Sequence, residues 1–317
     1  MIITIILFVL GFAFLLKGAD ILVEGASSIA KRYNISDLVI GLTIVSFGTS
    51  APELIINILS TINGNPDIAM GNILGSNIAN ILLILGISSI IYGLPIQRST
   101  VLSEIPFSLT ATILVGFLAN ANLFGDGDQV LSRNDGFILL FFFGLFMSYI
   151  FKLVKESPDN NEVFDLMPLR KALTYITLGI LGLFFGGKWV VDGAILFAKM
   201  LGMSEIFIGL TIVAIGTALP ELITSVVAAY RRNADIAVGN VVGSNIFNLL
   251  WVLGISSVIT PIPFHINGNY DILVMIISST MLFFAMAFGK RYVIERWGGI
   301  LFILTYIYYL YTLILRG

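Results

Sequence analysis

The chain of 317 residues is 57% hydrophobic and only 11% charged, with a mean hydropathy of +0.99. That composition excludes a water-soluble globule, and a net charge of −2 without any basic run gives no footing for nucleic acid. The lack of cysteine excludes disulfides and thiolate metal sites.

Apolar runs of about twenty residues, the length that crosses a bilayer as helix, recur along the whole chain. Ten spans are expected, starting near Ile2, Leu38, Ala69, Leu102, Gly136, Leu169, Ile206, Ala237, Ile272 and Gly298. The first lacks a small-residue cleavage site and reads as a retained span rather than a signal peptide. Between spans, Lys31, Arg32, Arg98, Lys152, Lys155, Arg170, Lys171, Arg231, Arg232, Lys290, Arg291 and Arg296 fall on one side. Only Arg133, Lys199 and Arg316 fall on the other. The richer side is expected to be cytoplasmic, with both termini outside.

The second and seventh spans carry the densest information. Gly41 to Ile58 reads GLTIVSFGTSAPELIINI, and Gly209 to Val226 reads GLTIVAIGTALPELITSV, a gapless displacement of 168 residues. At the same displacement GNILGSNIAN (Gly71 to Asn80) matches GNVVGSNIFN (Gly239 to Asn248), and Gly18, Gly25 and Ala26 match Gly186, Gly193 and Ala194. The chain thus divides into two five-helix repeats, residues 1–155 and 169–317, joined by a short polar cytoplasmic linker at 156–168. Five is odd, so the second copy enters the membrane from the opposite side. The expected fold class is an all-α polytopic membrane protein built from two inverted-topology repeats, the arrangement of alternating-access carriers. Lipid-facing duplicates need only stay greasy, whereas these copies preserve Glu, Asn, Ser, Thr, Gly and Pro.

Each copy sets one carboxylate, Glu53 or Glu221, inside an apolar segment, where an ionisable group is costly and kept for function. One residue before it stands Pro52 or Pro220, which has no N–H for the carbonyl four residues back, that of Gly48 or Gly216. A helix broken at mid-membrane is expected, with carbonyls around Ser46 to Ser50 turned from their usual partners. Such carbonyls are tolerated only where protein, a cavity or a cation satisfies them. Ser76 and Asn80 share one helix face, as do Ser244 and Asn248. Asn80 and Asn248, repeated beside the glutamates, read as ligands; Asn72, Asn77, Asn240 and Asn245 read as interhelical hydrogen-bonding groups. The Gly71/Gly75 and Gly239/Gly243 spacing suits close helix approach. The cluster is all oxygen, which suits calcium, sodium or magnesium and disfavours zinc or copper. Adaptable carbonyl-rich coordination favours calcium and sodium over the rigid octahedron of magnesium.

GTSAPE with GNILGSNIAN, and GTALPE with GNVVGSNIFN, resemble the two alpha-repeats of the cation/calcium exchanger superfamily, most closely its prokaryotic sodium/calcium exchanger branch. The resemblance spans nearly the whole chain. It implies calcium held by Glu53, Glu221 and the backbone oxygens of Thr49 and Thr217. It further implies sodium held by the backbone at Ser46 and Ala214, the side chains of Ser50, Ser76 and Ser244, and both glutamates. Sliding of the first and sixth spans across the other eight is also implied, with Gly18, Gly25, Gly186 and Gly193 suiting that movement. Two positions depart from the branch pattern: both Asn80 and Asn248 are neutral where one half carries an aspartate, and Ala218 stands where the first repeat has Ser50. These departures leave room for proton coupling through the glutamates.

The expected activity is therefore secondary-active sodium/calcium antiport in a prokaryotic plasma membrane, with calcium/proton exchange on the same scaffold as the alternative and a cation channel behind it. Neither enzymatic activity, a cofactor nor a required protein partner is expected, and no P-loop is present. Elsewhere, Lys17 and Lys188 are expected to snorkel or pair with nearby acids such as Asp20, Glu24 and Asp192. Glu104 reads as interfacial, and Asp126, Asp128 and Asp135 as a solvated outer loop. His265 reads as a solvated loop side chain, and Tyr306, Tyr308, Tyr309 and Tyr311 as an interfacial belt.

Overall fold

The computed structural model describes residues 2–62, 66–121, 129–156, 167–200, 214–287 and 292–316. Among them eight helices are long and apolar enough to cross a membrane, or nine if one bent pair counts as a single span. Helix α1 is Ile2–Arg32; the bent pair is α2, Asp37–Thr49, and α3, Ala51–Ile62. Helix α4 runs from Pro66–Ala79 through a π-helical turn, Asn80–Leu85, into Gly86–Ile91. Then follow α5, Glu104–Ala119, α6, Arg133–Glu156, and α7, Leu169–Met200. The expected start of the seventh span near Ile206 lies outside the described residues. Its remainder is α8, Ala214–Thr217, and α9, Leu219–Tyr230. Helix α10 repeats the form of α4, Ala234–Ile246, a π turn at Phe247–Val252, then Leu253–Ile259. The last two are α11, Gly268–Ala287, and α12, Arg296–Arg316. The loop acids Asp126 and Asp128, most of the linker, and Lys290 and Arg291 also lie outside the described residues.

Burial sorts these helices into a centre and a rim. In α4 and α10, 78% of the residues in the apolar stretch are buried, against 28% for α1 and α7. The rim helices α1 and α7 run antiparallel and are joined by glycines. A Cβ on Gly11 would lie 2.8 Å from the Gly186 carbonyl, one on Gly18 3.0 Å from that of Gly179, and one on Gly25 2.9 Å from that of Ala172. Seven-residue spacing on both helices lays these glycines along one seam, as small residues do where membrane helices touch backbone to backbone. The glycines expected to ease sliding therefore bind α1 and α7 into one layer.

The chain is not wholly helical. Four two-residue strands pair outside the helices: β1, Leu94–Pro95, with β4, Val293–Ile294, and β2, Val130–Leu131, with β3, Ile262–Pro263, both antiparallel. The β1–β4 pair ties the segment after α4 to the segment before α12, and the β2–β3 pair ties the segment before α6 to the segment after α10; in the expected ten-span order each joins a segment after a third span to one before a fifth. These short stretches lie beyond helix ends, where backbone groups must find partners elsewhere.

The candidate ion site

The break in the second span is local. Ser50 leaves helical geometry at φ −83°, ψ 3°, and the chain bends by 45° between α2 and α3. Ala218 takes φ −85°, ψ 3° between α8 and α9. The opening is narrower than the sequence suggests. The Ser50 amide still donates to the Ser46 carbonyl at 2.9 Å, and the Leu54 amide to the Ser50 carbonyl at 3.1 Å. The proline deletes only one donor, so the carbonyls at both ends of Ser46 to Ser50 keep their helical partners. Upstream, Gly41–Val45 is itself π-helical, and the Ser46 hydroxyl donates into it, to the Gly41 carbonyl at 2.5 Å. That hydroxyl also reaches the Asn240 carbonyl at 3.2 Å, where Gly239 packs with its α-carbon against Gly41. Gly239 and Gly243 make the close approach expected of them; among the described residues nothing lies within 4 Å of a Cβ built on Gly71 or Gly75.

Glu53 and Glu221, each 1% exposed, open α3 and α9 and lie close enough to interact electrostatically. Ser50 bridges the halves, its hydroxyl donating to Glu221 Oε1 at 3.0 Å. At the place matching Ser50, Ala218 offers Glu53 no hydroxyl, and among the described residues both oxygens of Glu53 lack a hydrogen-bond partner. The two threonines are held alike: Thr49 Oγ1 donates to Asn240 Oδ1 at 3.0 Å, and Thr217 Oγ1 to Asn72 Oδ1 at 3.2 Å. Asn240 is fixed from its other end, donating to Ser225 Oγ at 2.9 Å and to the Glu221 carbonyl at 3.3 Å.

The asparagines complete the arrangement. Asn80 begins one π-helical turn and Asn248 is the second residue of the other, features common at functional sites. Asn80 Nδ2 donates to Asn245 Oδ1 at 2.9 Å and Asn248 Nδ2 to Asn77 Oδ1 at 3.2 Å, while Oδ1 of Asn80 and of Asn248 has no partner among the described residues. Six buried oxygens of the expected ligand set are thus unpaired among the described residues: both of Glu53, Oε2 of Glu221, Oδ1 of Asn80 and Asn248, and Oγ of Ser76. A buried unpaired polar group costs about 1–3 kcal/mol, so a cluster of acceptors fits a hard cation that satisfies several at once. No three His, Cys, Asp or Glu side chains converge among the described residues. Any ion held here therefore depends on amide, hydroxyl and backbone oxygens beside the two carboxylates. Of the expected ligands, Ala214 is described in its backbone alone, at the first residue of α8.

Several readings change. Glu104, at the start of α5, is fully buried within the protein, and its Oε1 accepts from the Tyr149 hydroxyl at 2.5 Å across α5 and α6. Tyr306 and Tyr309 face the interior, the latter donating to Asp271 at 3.1 Å, so only Tyr308 and Tyr311 fit an outer belt. Asp135 closes a cap, accepting from the Ser132 amide at 2.8 Å. Lys17 pairs with Asp20 at 3.0 Å as expected, and Arg231 joins Asp20 and Glu24 from α9. The π turns were not readable from propensity. The four-amide contact had one sequence signal, an asparagine pair three apart repeated in both halves.

Comparison with known proteins agrees with this chemistry. The family described as sodium/calcium exchanger protein matches residues 3–152 and 171–315. The sodium/calcium exchanger MaX1 of Methanosarcina acetivorans is 31% identical, covering 97% of each chain. Inner membrane protein YrbG of Escherichia coli is 34% identical over 85% of each. A solved structure of the sodium-calcium exchanger NCX_Mj, soaked with 2.5 mM Na+ and 0.1 mM Ca2+, superposes with a TM-score of 0.80 at 35% identity, covering 97% of each chain. An all-helical core of apolar spans, two buried glutamates behind broken helices and the matched sequence agree: the chain belongs to the sodium/calcium exchanger protein family.

Proposed function

We propose that this protein is a secondary-active antiporter that exchanges sodium for calcium by alternating access. It spans a prokaryotic inner membrane ten times as two inverted five-helix repeats, with both termini outside. The observation that carries the reading is the set of six buried oxygens of the expected ligands, drawn from both halves, that have no hydrogen-bond partner among the described residues. Calcium is held by the two carboxylates with the backbone oxygens of Thr49 and Thr217. Sodium draws on the glutamates, the side chains of Ser50, Ser76 and Ser244, and the backbone at Ser46 and Ala214; Asn80 and Asn248 supply further oxygens. The Ser46 carbonyl already accepts from the Ser50 amide, and the Thr49 hydroxyl 3.3 Å away gives its one proton to Asn240 at the shorter distance of 3.0 Å, so the second lone pair of that carbonyl can join the ion. The inverted arrangement is supported by the strand pairs. Segments after a third span and before a fifth span share a membrane side only if the repeats point in opposite directions. The seamed α1–α7 layer is the moving part.

Two carboxylates neutralise one calcium, whereas three sodium ions would leave one positive charge. Moving that charge changes the driving force by about 2.3 kcal/mol per 100 mV. The neutral Asn80–Asn248 pair and Ala218 favour, as the second reading, calcium/proton exchange on the same scaffold. Purified protein in liposomes separates the two. An imposed sodium gradient at equal pH on both sides drives radioactive calcium uptake under the first reading. Uptake that follows a proton gradient and ignores sodium establishes the second.

A further inference from the structure

We propose that Asn77 and Asn245 are positioning residues that aim the side-chain oxygens of Asn80 and Asn248 into the ion site, each acting on the asparagine of the opposite repeat. The inference rests on reading Asn80 and Asn248 as ligands. An amide has an accepting end and a donating end, and a cation tolerates only the first. Which end it meets is decided by whatever holds the other.

The structure fixes that choice through a relay of polarity. Its anchors are two backbone carbonyls, which can only accept. Asn77 Nδ2 donates to the Asn245 carbonyl at 3.5 Å, and Asn245 Nδ2 donates to the Asn77 carbonyl at 3.4 Å. With their donors spent on backbone, both side chains turn Oδ1 the other way. Those oxygens receive Nδ2 of Asn248 and of Asn80. The last step leaves Oδ1 of Asn80 and Asn248 without a partner among the described residues. All four side chains are at most 2% exposed, so solvent offers no alternative acceptor to a flipped amide. Reversing one ligand would set two amide oxygens face to face, and reversing its partner to relieve that would turn an oxygen toward an anchoring carbonyl, each a buried loss. The contacts repeat under exchange of the halves, since Asn77 and Asn80 match Asn245 and Asn248 at the 168-residue displacement. Each repeat thereby sets the ligand of the other, and neither half presents an oxygen-only face by itself.

Calcium and sodium titrations of the purified full-length chain test this with four variants. Asn245→Leu keeps the approximate size and removes the acceptor, so Asn80 is free to turn its amide nitrogen into the site. Affinity for calcium, sodium or both is expected to fall about ten- to a hundred-fold, as when a group supporting a ligand is lost. Asn245→Asp keeps an acceptor for Asn80 and loses the donor to the Asn77 carbonyl, so it recovers most of that loss. Asn80→Ala weakens binding, and Asn80→Ala with Asn245→Leu is no weaker than Asn80→Ala alone, because the oxygen being aimed is already gone. Asn245→Asp binding as poorly as Asn245→Leu, or additive losses in the double variant, would overturn the proposal by making Asn245 a plain cross-link. Loss in Asn80→Ala with wild-type affinities in Asn245→Leu overturns positioning and leaves the ligand reading intact. Unchanged affinities for both ions in Asn80→Ala overturn the ligand reading itself. Should the leucine variant not fold, the aspartate variant still decides: retained affinity supports the relay, and loss overturns it.

Discussion

Ser50→Ala removes a hydroxyl that crosses between the repeats to a site carboxylate. The bond to Glu221 Oε1 is 3.0 Å long and both residues are at most 3% exposed, so solvent cannot replace it. A hydrogen bond to a charged group contributes about 1.5–3 kcal/mol, and tenfold in an equilibrium constant is about 1.4 kcal/mol. Without ions, the variant unfolds more readily by that order. Glu221 is then left as bare as Glu53, whose equivalent hydroxyl is absent at Ala218. If Ser50 also ligates sodium, apparent sodium affinity falls about ten- to a hundred-fold by the same conversion. Calcium, held by the carboxylates and threonine carbonyls, loses far less. The assay is thermal unfolding of the ion-free protein beside sodium and calcium titrations. Unchanged ion-free stability would refute the structural half of the reasoning. Equal losses for both ions would refute the division of ligands.

Glu53→Gln and Glu221→Gln each remove half the charge that balances calcium and are expected to abolish calcium transport while the protein still folds; near-normal radioactive calcium flux from either variant excludes that glutamate. Asn248→Asp adds a negative charge and places an acceptor against Asn77 Oδ1, so Asn77 must flip to offer its nitrogen. The expected result is a changed sodium stoichiometry or pH profile, read as reversal potential and flux against pH, and identical curves contradict a charge role there. Ser27 on α1 lies 3.3 Å from Asn233 beside α10, and the chain has no native cysteine. Ser27→Cys with Asn233→Cys, once oxidised, is expected to pin the α1–α7 layer and stop exchange until reduced. Full transport by the bridged protein would remove sliding from the account.

What the sequence made legible was whatever a bilayer makes expensive. Glu53 and Glu221 stand out because an apolar span has no structural use for a carboxylate, and Pro52 and Pro220 because each deletes a definite hydrogen bond. The repeat then converted two local oddities into one site. The rest depended on which polar group meets which. Nothing in local propensity distinguishes a π turn at Asn80 from ordinary helix, since the extra residue per turn is stabilised by partners 165 residues away. That Glu104 is buried against Tyr149, 45 residues on, was equally out of reach of local pattern. Tyr306 and Tyr309 were grouped with Tyr308 and Tyr311 by position along the chain, yet helical phase turns the two pairs to opposite sides. The strand pairs joining opposite halves were invisible for the same reason, being two residues long and entirely non-local.

The most direct test of the account measures calcium flux into proteoliposomes against imposed sodium and proton gradients, one at a time, with Glu53→Gln and Glu221→Gln as controls. Sodium-driven calcium uptake at matched pH, lost in both variants, is the predicted result. Calcium movement indifferent to sodium, or surviving without either carboxylate, would contradict it.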